Sequence, residues 1–353
     1  MSIFRQWLLR FRKLVDDHLA EFFKKTRPLK DFPLTRHIYN DLLEIVFRAG
    51  RMSSALMMAT YEGISQQLCD DQIAGIGSAI ELNAYSILIH DDLFDDDDIR
   101  FKKDAYHILY TKKRSELGLD TLDSREFGRN IAIIGGNLLQ SLAITAMTNT
   151  SLPETDLLDL IDKLNLNYRT VNESQAIDIQ FEGMYPSPDD WYKMASKRAA
   201  FHTCTCIEMG GILAKWSEED KELLKNAAVH LGYMFDIRED LFDTFSNRSD
   251  TLQVPHRDLK RQKKPLHICF ALENASESDK KTLTEELSNY NEASRKRVIE
   301  LLRECGLPST LERFDCHVKE AKDSFEQSCL SKDAKSFFIG LLSNSSKTIL
   351  TLH

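Results

Sequence analysis

The stretch IHDDLFDDDDIR, residues 89–100, closes an apolar segment with six aspartates. Asp91 and Asp95 are four residues apart, so on a helix that turns about 100° per residue their carboxylates share one face, with Asp92 beside them. Convergent carboxylate oxygens suit Mg²⁺, which usually keeps several waters and also takes oxygens from substrate phosphates. A merely solvated helix end is disfavoured, because residues 84–89 look buried and carboxylates that directly follow a core helix need compensating charge. The stretch therefore predicts a metal site at a helix end.

A second acidic segment, FDIREDLFD at residues 235–243, shows the same pattern. Asp236, Asp240 and Asp243 fall at i, i+4 and i+7 and would form one stripe along a helix, with Glu239 beside it. A single acidic helix face is common, but two of them at the ends of apolar helices are more specific. Two facing carboxylate clusters around Mg²⁺ would clamp a diphosphate, and cations would balance the charge that builds as it departs. The candidate cations are Arg100, Lys197 and Lys263.

Helices are predicted almost throughout the chain, because apolar residues recur at helical spacing and period-two alternation is hard to find. The 14 glycines and 8 prolines are few for an all-β or loop-rich protein. We expect an all-α fold, with one domain over residues 1–353 built as an antiparallel helical bundle around a deep apolar cavity, and with terminal helices at 277–353. Turn residues cluster at and predict breaks in the regions 27–33, 117–124, 149–154, 185–190, 245–258, 274–278 and 306–309.

Composition excludes several classes of protein. The net charge of -9 is spread along the chain without a basic stripe, which argues against a nucleic-acid partner. No apolar run reaches the roughly 18 residues of a membrane span, and no secretory signal is evident. The seven scattered cysteines fit reduced thiols and predict a cytoplasmic location. A basic amphipathic segment at residues 4–15 favours a first helix docked on the core, with peripheral membrane contact as the alternative.

The ordered motifs resemble those of trans-isoprenyl diphosphate synthases, the polyprenyl synthetase family. DDLFD at 91–95 with the downstream Arg100 resembles the family's DDxxD motif, and EDLFD at 239–243 after Phe235 and Asp236 resembles its second motif, FQxxDDxxD. Four further segments match in order: AIIGGNLL at 132–139 for GDxLL, with Gly136 in place of aspartate; QAID at 175–178 for GQxxDL; KRA at 197–199 for KT; and DLKRQK at 258–263 for DLxxGK, with Gln262 in place of glycine. The resemblance covers roughly residues 48–272.

This resemblance implies the class I isoprenoid synthase fold, Mg²⁺ as cofactor with three ions in each active site, an allylic prenyl diphosphate as substrate and a homodimer. The implied metal ligands are Asp91, Asp92, Asp95 and Asp240, supported by Asp243 and Glu239. The implied diphosphate-binding cations are Arg100, Lys197 and Lys263, with Gln175 and Asp236 lining the site. Lys197 also counts among the catalytic residues with the four principal carboxylates. For His90 and residues 96–98, packing or solvation is the expected role.

The family's pocket for a second substrate, isopentenyl diphosphate, is altered in this chain. The GGKRxRP segment becomes AGRMSSA at residues 49–55, which keeps one cation, Arg51, as a candidate diphosphate ligand. Ala84 stands at the expected histidine position, and Phe101 stands where a second arginine follows Arg100. Losing bidentate arginine contacts to an anionic substrate is a large change. We therefore expect this pocket to be disabled while the allylic half retains its ligands.

Three functions follow from this asymmetry. The first is a terpene synthase-like reaction, in which a C10–C20 allylic diphosphate is ionised and its cation cyclises, loses a proton or captures water. The second is chain elongation with other cations, such as Arg48 and Lys102, at the isopentenyl diphosphate pocket. The third is a silent regulatory subunit, which is disfavoured because unneeded clustered carboxylates would repel one another.

The depth of the cavity would set the substrate length. In the family, the residues four and five positions before the first aspartate limit this depth, and here they are Ile87 and Ser86, with Tyr85 just above. Phe101 and Asp236 are further candidates for the cavity wall. The small Ser86 permits a deeper cavity than phenylalanine would and favours C15–C20 substrates.

Overall fold

The computed structural model describes residues 2–26, 32–246 and 256–349, and helices account for almost all of them. The only strands among these residues are β1 (Ile99–Arg100) and β2 (Lys103–Asp104), which pair as an antiparallel hairpin. The all-α prediction is therefore confirmed. Within the chain, the contacts define two compact units, each described by itself below. The expectation of one domain stays a prediction.

The first unit comprises Met1–Tyr168, Thr205–Ser217 and Cys329–Phe337. The division from the second unit falls within three helices: α7 (Glu154–Glu182), α9 (Ala199–Ala214) and α16 (Lys332–Ile349). The helices that lie wholly in the first unit are α1 (Ile3–Lys25), α2 (Pro33–Val46), α3 (Met52–Ser65), α4 (Asp71–Phe94), α5 (Tyr106–Glu116) and α6 (Ser124–Thr148).

Helices α4 and α6 form the centre of this unit and position the first acidic motif. The side chain of Asp70 caps α4 by accepting from the Ile73 amide at 3.0 Å, and Asp123 caps α6 by accepting from the Glu126 amide at 2.8 Å. These caps satisfy amides that would otherwise be unpaired at a helix start. The buried apolar face of α4 then runs into Asp91 and Asp92, so packing of the helix fixes where the motif lies.

The N-terminal helix docks on the rest of the first unit, as expected. Its apolar stripe, including Phe11, Val15 and Leu19, is buried. The ring of Trp7 stacks on Phe337 with a centroid distance of 6.0 Å. The opposite face keeps charged residues in solvent, which is the usual arrangement for an amphipathic helix on a core.

The second unit comprises Arg169–Cys204, Glu218–Ser328 and Phe338–His353. Its own helices are α8 (Pro188–Ala195), α10 (Glu218–Phe245), α11 (Arg257–Lys260), α12 (Leu266–Asn274), α13 (Glu277–Ser288), α14 (Arg295–Leu301) and α15 (Leu307–Gln327), with a π-helical turn at Leu302–Gly306. Helix α10 packs against α15 and carries the second acidic motif. At Gly232 of α10, an added Cβ would overlap the backbone of Ala200. This glycine therefore lets α9 pack closely against α10, about one turn before the second acidic motif begins.

Four of the predicted breaks separate helices, at 117–124, 149–154, 185–190 and 274–278. The predicted break at 306–309 is wrong, because the π-helical turn continues directly into α15 with Pro308 in its first turn. Proline is tolerated there, since a first-turn amide has no partner within the helix. The breaks at 27–33 and 245–258, like the end of the predicted tail at 350–353, include residues outside the described ranges.

Two helices in the described part of the chain are long and apolar enough to cross a membrane, α4 and α6. This is weak evidence for a span, because 78% of the apolar window of α4 and 50% of that of α6 are buried within the fold. A buried core helix of a protein that spans no membrane passes the same test of length and composition. No membrane segment is therefore firmly indicated.

Candidate active site

The last turn of α4 presents the first acidic motif. Asp92 is 1% exposed, whereas Asp91 is half-buried and Asp95 forms the C-cap of the helix. Burial raises the pKa of the Asp92 carboxyl to about 7, against the opposing effect of the Arg100 charge. A carboxylate placed so deeply requires a cation close by, because an uncompensated buried charge is costly.

Arg100 supplies that cation from strand β1. Its Nε donates to Oδ1 of Asp92 at 2.7 Å, and its Nη2 lies 3.3 Å from Oδ2 of Asp91 and 3.6 Å from Oδ2 of Asp97. Burial lowers the pKa of Arg100, but the three carboxylates outweigh this effect and raise it above its ordinary value. The predicted diphosphate-binding arginine is thus placed directly on the predicted metal ligands, and the hairpin after α4 brings it there.

The candidate cavity residues have different environments. Tyr85 is 1% exposed, and its ring lies 6.1 Å from that of Phe101, which is 42% exposed. Ser86 is fully buried, and its hydroxyl donates to the Gly136 carbonyl of α6 at 2.8 Å. Ile87 is half-buried. The Ser86 hydroxyl is thus directed at α6, so the cavity depth expected from its small size stays a prediction.

His90 and the replaced residue Gly136 fit each other. An added Cβ at Gly136 would overlap the imidazole of His90, whose Nε2 lies 3.4 Å from the Ile133 carbonyl. Burial lowers the pKa of His90 and so favours the neutral ring. The ring therefore takes the space above the residue that replaces the family's aspartate, which agrees with the expected packing role.

Arg51, the remaining cation of the altered pocket, is buried in an ion-pair network. Its Nε donates to Oδ1 of Asp16 at 2.8 Å, its Nη1 donates to the Val46 carbonyl at 2.6 Å, and Nη1 lies 3.9 Å from Oε2 of Glu81. The side chain is 0% exposed. These contacts join α1, the end of α2 and α4. Its role as a diphosphate ligand stays a prediction, and it would require leaving these partners.

The second acidic motif lies on the last three turns of α10. Glu239 is 70% exposed and pairs with Arg238 at 2.5 Å. Asp243 accepts from Nε of Arg257 at 3.3 Å and from the Asp258 amide at 3.1 Å, so it helps to hold the start of α11. The two carboxylates of this motif that face inward, Asp236 and Asp240, are therefore the remaining candidates for the active site.

Asp240 is the strongest candidate metal ligand of this unit. Its Oδ2 is shielded from solvent and has no hydrogen-bond partner among the residues that the structure describes. Burial raises the pKa of Asp240, and the Arg198 charge opposes that rise. A shielded carboxylate oxygen that accepts no hydrogen bond is energetically costly. A divalent cation bound to that oxygen would remove this cost.

Arg198 and Asp178 join this motif although sequence patterns did not select them as site residues. Arg198 donates through Nε to Asp236 at 3.3 Å, and its Nη1 lies 3.7 Å from Oδ1 of Asp178. The other Asp178 oxygen accepts from Nζ of Lys263 at 2.5 Å, and Lys263 also pairs with Glu182 at 3.0 Å. The result is a chain of alternating charges that runs from α10 to the predicted diphosphate-binding lysine.

Lys197 and Gln175 are the remaining predicted residues of this unit. Lys197 is 43% exposed and pairs with Glu173 at 3.3 Å. The side-chain amide Nε2 of Gln175 is shielded and makes no hydrogen bond to the described part of the chain. An exposed lysine and an unused amide donor could both accept an anionic ligand.

No group of three or more histidines, cysteines, aspartates or glutamates in the described ranges is arranged to hold a metal ion by itself. Mg²⁺ fits these residues nevertheless, since it is usually bound through one or two carboxylates together with waters and substrate phosphates. Asp91 with Asp92 in the first unit and the open oxygen of Asp240 in the second supply such carboxylates. The donors present therefore suit Mg²⁺ that arrives with a phosphate-bearing ligand.

Comparisons with known proteins agree with this chemistry. The model of the family described as "Polyprenyl synthetase" matches residues 36–305. A "Short chain isoprenyl diphosphate synthase" of Methanocaldococcus jannaschii is 27% identical over 75% of this chain and 76% of its own length. A "Geranylgeranyl diphosphate synthase" of Sulfolobus acidocaldarius is 24% identical over 71% of this chain and 72% of its own length.

Solved structures show the same fold. A geranylgeranyl pyrophosphate synthetase from Pyrococcus horikoshii aligns with a TM-score of 0.81 and 22% identity over 97% of this chain and 98% of the other. A geranylgeranyl pyrophosphate synthase from Corynebacterium glutamicum, solved with isoprenyl diphosphate and magnesium, aligns with a TM-score of 0.87 and 17% identity over 96% of this chain and 99% of the other. At these identities the likeness establishes the all-α fold of isoprenyl synthases and no more.

Proposed function

This chain belongs to the polyprenyl synthetase family and is an enzyme of isoprenoid diphosphate chemistry, and from that premise we propose that it is a Mg²⁺-dependent, chain-elongating prenyl diphosphate synthase. Its substrate would be an allylic diphosphate of C10–C20 length together with isopentenyl diphosphate. The observation that carries this proposal is the similarity to several proteins named as isoprenyl or geranylgeranyl diphosphate synthases, over 71–75% of the chain for the two described above. This outcome reverses the order of the first two functions that the sequence suggested.

The carboxylates of the two motifs have one task in this proposal. Asp91 and Asp92 from the first motif and Asp240 from the second would hold the metal, while Asp95, Glu239 and Asp243 would support them. Bound Mg²⁺ would neutralise the leaving diphosphate and so assist ionisation of the allylic carbon. The gathering of both motifs around one diphosphate, and the number of three ions, are taken from the family.

The cations would hold the diphosphate oxygens. Arg100 already lies on the carboxylates that would bind metal, so a diphosphate bound there would meet its guanidinium. Lys263 is fixed by Asp178 and Glu182, and Lys197 extends into solvent beside Glu173. A planar guanidinium and two ammonium groups would match the several oxygens of a diphosphate and hold it for departure.

A second candidate function, the terpene synthase-like reaction on one allylic diphosphate, is favoured by the state of Arg51. This cation is fully buried and paired with Asp16, and Phe101 replaces the second arginine after the first motif. Within the described residues, Lys102 is an exposed lysine of the same hairpin for which no ion pair is seen. If elongation occurs, we expect Lys102 to supply charge that Arg51 no longer offers.

Product analysis separates the two functions. Purified protein is incubated with Mg²⁺ and geranyl, farnesyl or geranylgeranyl diphosphate, with and without labelled isopentenyl diphosphate, and the products are identified by mass spectrometry. Elongated labelled diphosphates support the proposal. A hydrocarbon or alcohol formed equally well without isopentenyl diphosphate would replace it with the second function, and no turnover of any substrate would contradict both.

We also propose that the protein is a homodimer in the cytoplasm. Helix α6 exposes Ile133 and Ile134 at 46% and 45%, and it is long and apolar enough to pass the test for a membrane span. Exposed apolar patches of this kind often mark protein interfaces, and a second copy is the occupant that family membership favours. Light scattering of wild type and of Ile133→Glu/Ile134→Glu tests this: a dimeric wild type that becomes monomeric in the variant supports the proposal. A monomeric wild type contradicts the homodimer, and a variant that stays dimeric contradicts this interface. None of the seven cysteines, all of which lie in the described ranges, forms a disulfide, and this suits the cytoplasm.

A further inference from the structure

Two departures from the family's motifs occur together in this chain. The family's KT segment has arginine in place of threonine at Arg198, and its FQxxDDxxD motif has aspartate in place of glutamine at Asp236. Each replacement alone would put a net charge among partly buried groups, which is costly. The two new charges have opposite signs, so they can compensate each other.

The structure places these two residues in direct contact. Nε of Arg198 lies 3.3 Å from Asp236, and the two side chains are only 25% and 11% exposed. Gly232 lets the start of α9 approach α10 closely, which brings the two charges together. The nearby Asp178 holds the other side of the guanidinium at 3.7 Å. Arg198 is therefore held by two carboxylates, neither of which is the predicted metal ligand.

Asp240 lies one turn along α10 from Asp236 and faces the same arginine electrostatically. Burial lowers the pKa of Arg198, but the charges of Asp236, Asp240 and Asp178 outweigh it and raise that pKa. Nevertheless, Oδ2 of Asp240 keeps no hydrogen-bond partner among the described residues. A guanidinium with five donors beside an open carboxylate would normally pair with it, so something directs Arg198 elsewhere.

We propose that Asp236 is a positioning residue that holds Arg198 away from Asp240 and so keeps the open oxygen of Asp240 available to Mg²⁺. The pair Arg198–Asp236 is a charge-compensated replacement for the neutral threonine and glutamine of the family motif. This inference rests on the proposed function, because it takes Asp240 as a metal ligand.

Removing the negative partner tests the inference directly. In Asp236→Asn, Arg198 loses its closest acceptor and turns to Asp240, where it competes with the metal. The affinity for Mg²⁺, measured by titration calorimetry in the presence of inorganic diphosphate, should fall roughly tenfold to a hundredfold, as it does when a partner of a metal ligand is lost. Asp236→Gln, which introduces the family's own residue, repeats the test if Asp236→Asn does not fold. Glu285→Gln, an exposed change in α13, controls for loss of one negative charge.

The double variant Arg198→Thr/Asp236→Gln supplies the decisive comparison. It removes the competing cation together with its partner and restores the neutral pair, so most of the lost affinity for Mg²⁺ should return. A purely structural pair would instead change the thermal unfolding midpoint and leave the affinity of the folded protein unaltered.

Three results would overturn the inference. The first is an affinity for Mg²⁺ in Asp236→Asn equal to that of wild type, and the second is a double variant that binds as weakly as the single one. Both concern the inference alone if Asp240→Asn weakens binding. The third is an Asp240→Asn variant with unchanged affinity, which would also overturn the proposed metal site.

Discussion

Both acidic motifs contain shielded carboxylates that are compensated by cations, but the two sets of cations come from different distances along the sequence. In the first, one arginine from the next hairpin pairs with Asp92, Asp91 and Asp97, all within ten residues of the sequence. In the second, Arg198 comes from 38 residues before its partner Asp236, and Lys263 comes from 85 residues after Asp178. The first motif is thus built locally, with its cation on the predicted metal ligands. The second is assembled by tertiary structure and leaves Oδ2 of Asp240 without a hydrogen-bond partner among the described residues.

The largest expected effect tests whether both motifs serve one reaction. Asp91→Asn and Asp240→Asn should each lower kcat by roughly a hundredfold to a thousandfold, because each removes a charged group that acts on the leaving diphosphate. Release of diphosphate at saturating Mg²⁺ measures this. Asp98→Asn changes an exposed aspartate of the same acidic run and should leave turnover unchanged. Loss of activity in only one of the two variants would contradict a shared role.

The second prediction compares the stability that a buried ion pair and an exposed ion pair contribute. Arg100→Gln should lower the free energy of unfolding by about 3 kcal/mol, near the low end for a broken buried pair, since Asp92 can take up a proton. Arg238→Gln breaks the pair with Glu239, which is 70% exposed, and should cost less than about 1 kcal/mol. Urea unfolding measures both. Equal losses would show that the pair of Arg100 with Asp92 is no better protected than a surface pair.

The same division into local and distant contacts explains how far the sequence could predict the molecule. Helical periodicity located both acidic segments and the all-α fold, because those signals lie within one or two turns. It could not find that Asp16 pairs with Arg51 from 35 residues away or that Arg198 pairs with Asp236. The pair of Arg198 with Asp236 has one signal in the sequence, because each of the two charged residues stands where the family motif has a neutral residue. The predicted break at 306–309 was wrong because a π-helical turn keeps the chain helical there.

A third prediction concerns what supports the first motif. Gly136→Ala should lower stability by about 1–3 kcal/mol, because its methyl group would overlap the His90 ring in a packed interior. His90→Ala combined with Gly136→Ala should recover most of that loss by making space. Thermal unfolding measures the series, with Gly50→Ala as control, since an added Cβ there would contact nothing. A stable Gly136→Ala would mean that His90 does not fill this space.

A fourth prediction concerns pH and the first motif. The pKa of Asp92 is raised to about 7 by burial, whereas in an unfolded chain it is about 3.9. The folded state therefore binds more protons between these values, so this group's contribution to stability falls as pH rises from about 4 to about 7. Unfolding by urea at several pH values should show this fall without Mg²⁺, reduced in Asp92→Asn. An identical pH dependence in the two proteins would contradict the assignment.

The most direct test of a shared site is a crystal structure with Mn²⁺ in place of Mg²⁺ and inorganic diphosphate, in which anomalous scattering locates the metal. The account predicts metal ions ligated by Asp91 or Asp92 and by Asp240, all around one diphosphate. Metal at only one motif, or a diphosphate bound away from both, would contradict it.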